Sequence, residues 1–127
     1  MLILIAEDLD DAREATKLLL QIKGYDVVEA ANGQEAVDIA TRYMPDLILM
    51  DLNMPVMDGL SAVRYLRGQP ATADIPIIAV TAHFEDGAWR EQALGAGCDD
   101  YLAKPVDFDL LYAAISGALT GDFHVRA

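Results

Sequence analysis

The sequence alternates short apolar runs with longer segments of helical period, and this alternation limits the fold more than any other feature. Each run is too short for a helix and ends at turn residues or charges. The runs are Leu2–Ala6, Tyr25–Glu29, Asp46–Met50, Ile75–Val80 and Asp99–Ala103. Three of them are almost continuously apolar, which is typical of strands buried on both faces of a parallel sheet. The pattern therefore predicts five strands.

Apolar residues repeat at spacings of three and four between these runs, which predicts five helices. Asn32 with Glu35 three residues later is typical of a helix N-cap, and Gly24 stands where a helix C-terminal glycine belongs. The helix predicted over residues 83–95 is the weakest, because it contains two glycines and lacks an apolar stripe. The predicted first residues of the third and fifth helices are Asp58 and Asp107.

The alternation of strands and helices predicts an α/β domain with helices on both faces of the sheet, because crossovers between parallel strands are right-handed. A length of 127 residues suits a single domain. We expect this domain to span residues 1–119 and a short C-terminal tail to span residues 120–127. In open sheets of this kind, ligands bind beyond the carboxyl ends of the strands.

Charge and cysteine content argue against several classes of protein. The chain has 21 acidic and 9 basic residues, a formal net charge of −12, and would repel nucleic acid and anionic membranes. The longest apolar run, Met1–Ala6, is too short for a transmembrane helix. Cys98 is the only cysteine, which excludes an internal disulfide and favours a reducing compartment. We therefore expect a cytoplasmic protein with no nucleic acid or membrane partner.

Polar residues stand directly after four of the predicted strands. Glu7 and Asp8 follow the first strand, Asp51 the third, Thr81 the fourth and Lys104 the fifth. Alone, each could be a turn, capping or surface residue. Together they place three carboxylates at one edge of the sheet, where burial is costly without a compensating cation. Mg²⁺ suits such a site because it prefers oxygen ligands and keeps several waters.

This set of residues suits phosphoryl transfer. A carboxylate such as Asp51 can act as a nucleophile and form an aspartyl phosphate. A bound cation together with Lys104 can neutralise a transferring phosphoryl group. The Thr81 hydroxyl can hydrogen-bond one phosphoryl oxygen.

Five segments, in order and at the predicted strand ends, resemble the receiver domain of bacterial two-component response regulators. They are Ile5-Ala6-Glu7-Asp8, Asp46 to Pro55, Met57-Asp58-Gly59, Val80-Thr81-Ala82 and Tyr101 to Pro105. The resemblance extends from Leu2 to about Ala118. It implies a flavodoxin-like, doubly wound parallel sheet with the strand order 2-1-3-4-5 and five helices.

The resemblance also implies an acceptor and a metal site. Asp51 would be the phospho-acceptor. Asp8 and Asp51 would bind Mg²⁺ through carboxylate oxygens, Glu7 mostly through a water, and Asn53 through its main-chain carbonyl. Mn²⁺ is an alternative metal. The Lys104–Pro105 peptide bond would be cis.

Further roles implied by the resemblance concern the bound phosphoryl group. Thr81 and Lys104 would hold it, and Tyr101 would be a switch residue whose rotamer follows the position of Thr81. Asn53 and His83 stand at positions similar to those that tune the lifetime of the aspartyl phosphate.

On this interpretation, the chain takes a phosphoryl group from the phosphohistidine of a sensor histidine kinase or a histidine phosphotransfer protein. It would catalyse only its own phosphorylation and dephosphorylation. The surface of the fourth helix, fifth strand and fifth helix would then bind a downstream protein, or the phosphoryl group would pass onward. We expect a monomer. The start at Met1 favours a stand-alone receiver, and a receiver excised from a hybrid kinase or larger regulator is the alternative.

Three other functions compete with this one. An aspartate-nucleophile phosphatase needs a second acid two residues after the nucleophile, where this chain has Asn53. A flavodoxin needs a Gly, Ser or Thr-rich phosphate loop after the first strand, where residues 7–11 are Glu-Asp-Leu-Asp-Asp. An interaction module that is never phosphorylated has no need of the polar residues at the strand ends.

Overall fold

The computed structural model describes residues 1–54, 56–82 and 87–120. The elements are β1 (Leu2–Ala6), α1 (Asp10–Ile22), β2 (Asp26–Ala30), α2 (Gly33–Tyr43), β3 (Leu47–Asp51), α3 (Gly59–Gly68), β4 (Ile77–Thr81), α4 (Gly87–Ala96), β5 (Asp100–Ala103) and α5 (Phe108–Thr120). The prediction of alternating strands and helices is confirmed. The start predicted for the fourth helix, including His83, lies outside the described residues. None of the helices in the described ranges combines the length and the hydropathy that crossing a membrane requires.

The strands form one parallel sheet in the order β2-β1-β3-β4-β5, which confirms the predicted strand order. Facing pairs at the carboxyl ends are Ala6 with Ala30, Ala6 with Met50, Asp51 with Val80, and Thr81 with Ala103. This register brings the ends of β1, β3, β4 and β5 to one level. Residues that follow these strands therefore meet at a single edge of the sheet.

Each face of the sheet carries its own apolar core, because successive strand side chains point to opposite faces. Leu4, Ile48 and Ile77 face α2, α3 and α4, whereas Ile3, Leu47 and Ile78 face α1 and α5. All six are fully buried. The two cores explain why β1, β3 and β4 are nearly continuous apolar runs.

Local signals begin and end helices at the predicted places. The Asn32 Oδ1 accepts a hydrogen bond from the Glu35 N–H at 2.8 Å at the start of α2. The Asp58 Oδ1 accepts one from the Ser61 N–H at 2.8 Å at the start of α3. Gly24 has a φ of 92° and terminates α1, a left-handed conformation that glycine adopts without steric cost.

Four strands begin later than predicted. β2 and β3 begin one residue late, at Asp26 and Leu47, and β4 and β5 are also shifted. β4 begins at Ile77 rather than Ile75, because the Ile75 N–H donates to the Thr72 carbonyl at 3.2 Å in a turn and Pro76 has no N–H to donate. β5 begins at Asp100, one residue after its predicted start.

Arg67 ties α3 to the edge of the sheet where β4 and β5 begin. Its Nη2 contacts the Asp99 Oδ2 at 2.8 Å, and its Nε donates to the Gly97 carbonyl at 2.9 Å. Its Nη1 donates to the carbonyls of Ala73 and Ile75 at 2.8 and 2.6 Å. Asp99 is only 2% exposed. One guanidinium group therefore joins a helix, a loop and a buried carboxylate at the edge opposite the predicted site.

Candidate functional site

The predicted site residues meet at the carboxyl edge of the sheet. Asp51 is the last residue of β3 and Thr81 is the last residue of β4. Glu7 and Asp8 follow β1, and Lys104 follows β5. Thr81 is fully buried, and the exposed fractions of Asp51 and Glu7 are only 4% and 7%. These acids therefore form part of the folded interior and not of a solvated loop.

Lys104 lies between two of the acids. Its Nζ contacts the Glu7 Oε1 at 2.7 Å and the Asp51 Oδ2 at 3.0 Å. The Lys104 N–H donates to the Thr81 carbonyl at 2.8 Å, which fixes the backbone beyond β5 against β4. The Lys104–Pro105 peptide bond is cis, as predicted. The lysine thus supplies part of the charge compensation that buried carboxylates require.

The three acids form a cluster that fits a hard divalent cation. One carboxylate oxygen from each of Glu7, Asp8 and Asp51 lies within 4.8 Å of the other two. Burial raises the pKa of Glu7, and the neighbouring Asp51 raises it further, although Lys104 acts against this rise. Burial and Glu7 raise the pKa of Asp8. Lys104 alone therefore leaves the acids incompletely compensated, and oxygen-only ligands of this kind suit Mg²⁺.

The pKa of Lys104 is raised, so the amine stays charged. Burial alone would lower this pKa, but the hydrogen bonds and charges of Glu7 and Asp51 outweigh that effect. The site therefore contains a permanent cation within hydrogen-bond distance of Asp51. Any negative charge added to Asp51 would therefore lie beside the Lys104 amine.

Asn53 belongs to the site through its backbone. Its N–H donates to the Asp51 Oδ1 at 3.0 Å, a contact that the sequence did not predict. The residue itself is exposed beside the site, which leaves its side chain accessible to an incoming group. His83, the other predicted lifetime-tuning residue, lies outside the described residues.

Thr81 and Tyr101 occupy neighbouring strands. Tyr101 faces Ala79 in the register of β4 and β5. It is half-buried and packs against the apolar core of the face that α2, α3 and α4 cover. The predicted switch pair is therefore close to the site but buried to different degrees.

Sequence reasoning missed two residues that shape the site. Arg13 in α1 donates from Nη1 to the Glu7 carbonyl at 2.8 Å. Gly59 lies so close to β3 that a Cβ atom there would overlap the carbonyl oxygen of Asp51. The position of Gly59 directly after the helix-capping Asp58 was the available sequence signal for close packing. No comparable signal in the sequence pointed to Arg13.

Substituting Gly59 by Ala is expected to lower the free energy of unfolding by about 1–3 kcal/mol, because the added methyl group overpacks the site. It would lie 2.7 Å from the Leu52 Cα as well as overlapping the Asp51 carbonyl. Gly68→Ala, in the same helix, is the matched control, because no atom apart from the adjacent residues and the backbone of its own helix lies within 4 Å of a Cβ at that position. Urea denaturation of both variants measures the difference. Equal unfolding midpoints would contradict the proposed steric conflict.

Comparisons with known proteins agree with this geometry. The family model of the response regulator receiver domain matches residues 3–116. The polar-differentiation response regulator DivK of Brucella anthropi is 36% identical over 104 residues, which cover 82% of this chain and 84% of DivK.

Two solved structures are similar along most of their length. One is the receiver domain of sensor histidine kinase PA1611 from Pseudomonas aeruginosa, solved with a magnesium ion in its active-site cleft. Its sequence is 39% identical and its TM-score is 0.87, and the match covers 94% of this chain and 97% of that chain. The other is the receiver domain of a signal transduction histidine kinase from Syntrophus aciditrophicus, with 37% identity and a TM-score of 0.87, over 94% and 90% of the two chains. With the strand order and the edge cluster already established, these matches show that the chain belongs to the receiver domain family of two-component response regulators.

Proposed function

We propose that the chain is a phospho-acceptor whose Asp51 takes a phosphoryl group from the phosphohistidine of a sensor histidine kinase or a histidine phosphotransfer protein. The observation that carries this proposal is the environment of Asp51. The Asp51 carboxylate is almost fully buried. One of its oxygens accepts a hydrogen bond from the Lys104 Nζ at 3.0 Å, and the other accepts one from the Asn53 N–H at 3.0 Å. Glu7 and Asp8 complete the cluster around it.

The reaction needs little covalent chemistry from the protein. A carboxylate oxygen of Asp51 bonds to phosphorus, the bond from phosphorus to the donor's imidazole nitrogen breaks, and the imidazole takes up a proton. Lys104 neutralises part of the charge that the phosphoryl group brings, because it already contacts this carboxylate. Thr81, at the end of the neighbouring strand, supplies the hydroxyl that would hold a phosphoryl oxygen. Positioning and charge therefore account for most of the catalysis.

Glu7, Asp8, Asp51 and the main-chain carbonyl of Asn53 would hold Mg²⁺, with Mn²⁺ as an alternative. The donor set supports this assignment, because it contains hard oxygen ligands, and burial together with the neighbouring carboxylates raises the pKa of Glu7 and Asp8. When bound, the metal supplies positive charge to the phosphoryl oxygens. The similar PA1611 receiver was solved with a magnesium ion in its cleft.

We propose that phosphorylation switches the surface formed by α4, β5 and α5. The added charge would draw Thr81 toward the phosphoryl group and let Tyr101 move into the space that it leaves. The altered surface would bind a downstream protein, or the phosphoryl group would pass to another histidine.

We assign the receiver to residues 1–119, the tail to residues 120–127 and the protein to the cytoplasm.

Intact mass after incubation with acetyl phosphate and Mg²⁺ tests the proposed function. We expect one phosphoryl adduct that disappears when the metal is chelated. Beryllofluoride, a phosphoryl mimic, is added in parallel to detect an acceptor whose adduct hydrolyses quickly. An absence of both the adduct and a beryllofluoride-induced spectral change would overturn the proposal and favour an interaction module that is not phosphorylated.

Replacing Asp8 by Asn is expected to weaken Mg²⁺ binding at least about tenfold, because even the loss of an outer-shell partner costs a metal site that much. Asp11→Asn removes the same charge from an exposed position in the first turn of α1 and serves as the matched control. Calorimetric titration with Mg²⁺ measures both variants. Equal affinity in Asp8→Asn and Asp11→Asn would remove Asp8 from the metal site.

A further inference from the structure

Arg13 is a charged residue that is largely withdrawn from solvent and joins three parts of the fold. Its side chain is only 17% exposed. Its Nη1 donates to the Glu7 carbonyl at 2.8 Å, and its Nη2 contacts the Asp10 Oδ1 at 2.6 Å. Its Nε faces the Glu29 Oε1 at 3.5 Å in β2. The contact at 2.8 Å holds the β1–α1 loop at Glu7, whereas the contact at 2.6 Å joins Arg13 to Asp10, the first residue of its own helix.

Contacts with β2 hold both Arg13 and the backbone of Glu7 in place. Glu29 is held by two cations of α1 one helical turn apart, Arg13 through Oε1 and Lys17 through Oε2 at 3.4 Å. The Glu7 N–H donates to the Ala30 carbonyl of the same strand at 3.0 Å. Both backbone polar groups of Glu7 are therefore bound, its N–H to β2 and its carbonyl to Arg13. A planar guanidinium group suits this task because its donors have a fixed geometry.

We propose that Arg13 is a positioning residue for the metal site, and this inference rests on the proposed function. By fixing the Glu7 carbonyl to α1, Arg13 sets the path of the loop that carries Glu7 and Asp8 before a cation arrives. Without it, the two acids would repel each other and separate at little cost. Outer contacts of this kind typically change metal affinity 10–100-fold.

The direction in which Mg²⁺ affinity changes when Arg13 is removed distinguishes a positioning role from a purely electrostatic one. Arg13 is a positive charge close to a cation site, so its removal should by charge alone strengthen Mg²⁺ binding. The positioning role predicts the opposite. Arg13→Gln is expected to weaken Mg²⁺ binding about tenfold. Lys17→Gln removes the same charge and also loses a contact with Glu29, but it does not touch the loop; its affinity is expected to stay within about twofold of the wild type.

Titration of the purified protein with Mg²⁺, followed by calorimetry, is the test. An Arg13→Gln variant that binds Mg²⁺ as tightly as the wild type, or more tightly, would overturn the inference even if its melting temperature falls. If Arg13→Gln does not fold, Arg13→Lys replaces it; this variant keeps the charge, loses the planar fork and is also expected to bind Mg²⁺ more weakly, and unchanged affinity would overturn the inference.

The same preparations separate this inference from the proposed function. The metal titration does not require phosphorylation, so it tests Arg13 even if the wild type forms no adduct with acetyl phosphate. If the wild type does form the adduct, Arg13→Gln should need about tenfold more Mg²⁺ for half-maximal adduct formation. Its yield should return to the wild-type level at saturating metal. A yield that stays low at saturating Mg²⁺ would contradict a role exerted through the metal site.

Discussion

Replacing Asp51 by Asn is expected to abolish the phosphoryl adduct formed with acetyl phosphate and Mg²⁺. An amide is not a nucleophile toward phosphorus under these conditions, whereas the carboxylate is. The variant also loses one of the three acids that would bind the metal, so both the acceptor and the cation site are affected. Intact mass measures the loss directly, and Asp11→Asn should form the adduct as the wild type does.

The fold of Asp51→Asn should survive, which makes the loss of the adduct interpretable. Asn has nearly the shape of Asp, and Lys104 retains its contact with Glu7 at 2.7 Å. Removing one of three clustered negative charges relieves repulsion, so the melting temperature should be unchanged or higher. An adduct that persists in a folded Asp51→Asn variant would place the acceptor at another residue.

Replacing Arg67 by Ala is expected to lower the free energy of unfolding by about 3–5 kcal/mol, because it leaves the carboxylate of Asp99 buried without its counter-charge. The guanidinium group also satisfies three backbone carbonyls, those of Gly97, Ala73 and Ile75. For a domain of this size, the expected fall in melting temperature is about 10 °C or more.

Arg64→Ala is the matched control for this prediction. Arg64 lies in the same helix but is exposed, so its removal should change stability by no more than about 0.5 kcal/mol. Thermal unfolding of both variants checks the difference. Similar melting temperatures for the two would show that the Arg67–Asp99 pair contributes little. Because this pair lies at the edge where β4 and β5 begin, the yield of adduct per folded Arg67→Ala molecule should match the wild type.

The fold and most of the site could be predicted from the sequence because both depend on local patterns. Apolar runs of strand length identified the strands, and polar residues directly after them identified the edge cluster. Because crossovers between parallel strands are right-handed, the proximity of Glu7, Asp51 and Lys104 could be predicted before any distance was known. Helix starts at Asn32 and Asp58 were predictable because each cap bonds a residue only three positions away.

The features that escaped prediction depend on partners far apart in the chain. Arg67 and Asp99 are 32 positions apart, and nothing local distinguishes either from a surface charge. Arg13 contacts Glu7 only because α1 folds back over the end of β1. The late start of β4 depends on a turn in which Ile75 bonds to Thr72, although the apolar run itself begins at Ile75. Residue type and spacing do not encode such contacts.

The pairing of Glu7 with Lys104 joins residues 97 positions apart, which has a consequence for synthesis on the ribosome. The chain emerges N-terminus first, so Glu7 and Asp51 are made before their counter-charge, Lys104. Until β5 docks on β4, Glu7 and Asp51 face each other without the lysine amine. A chain cut short before Lys104 would therefore leave Glu7 and Asp51 without this counter-charge. The charge balance of this edge of the sheet is therefore completed only when the last strand is in place.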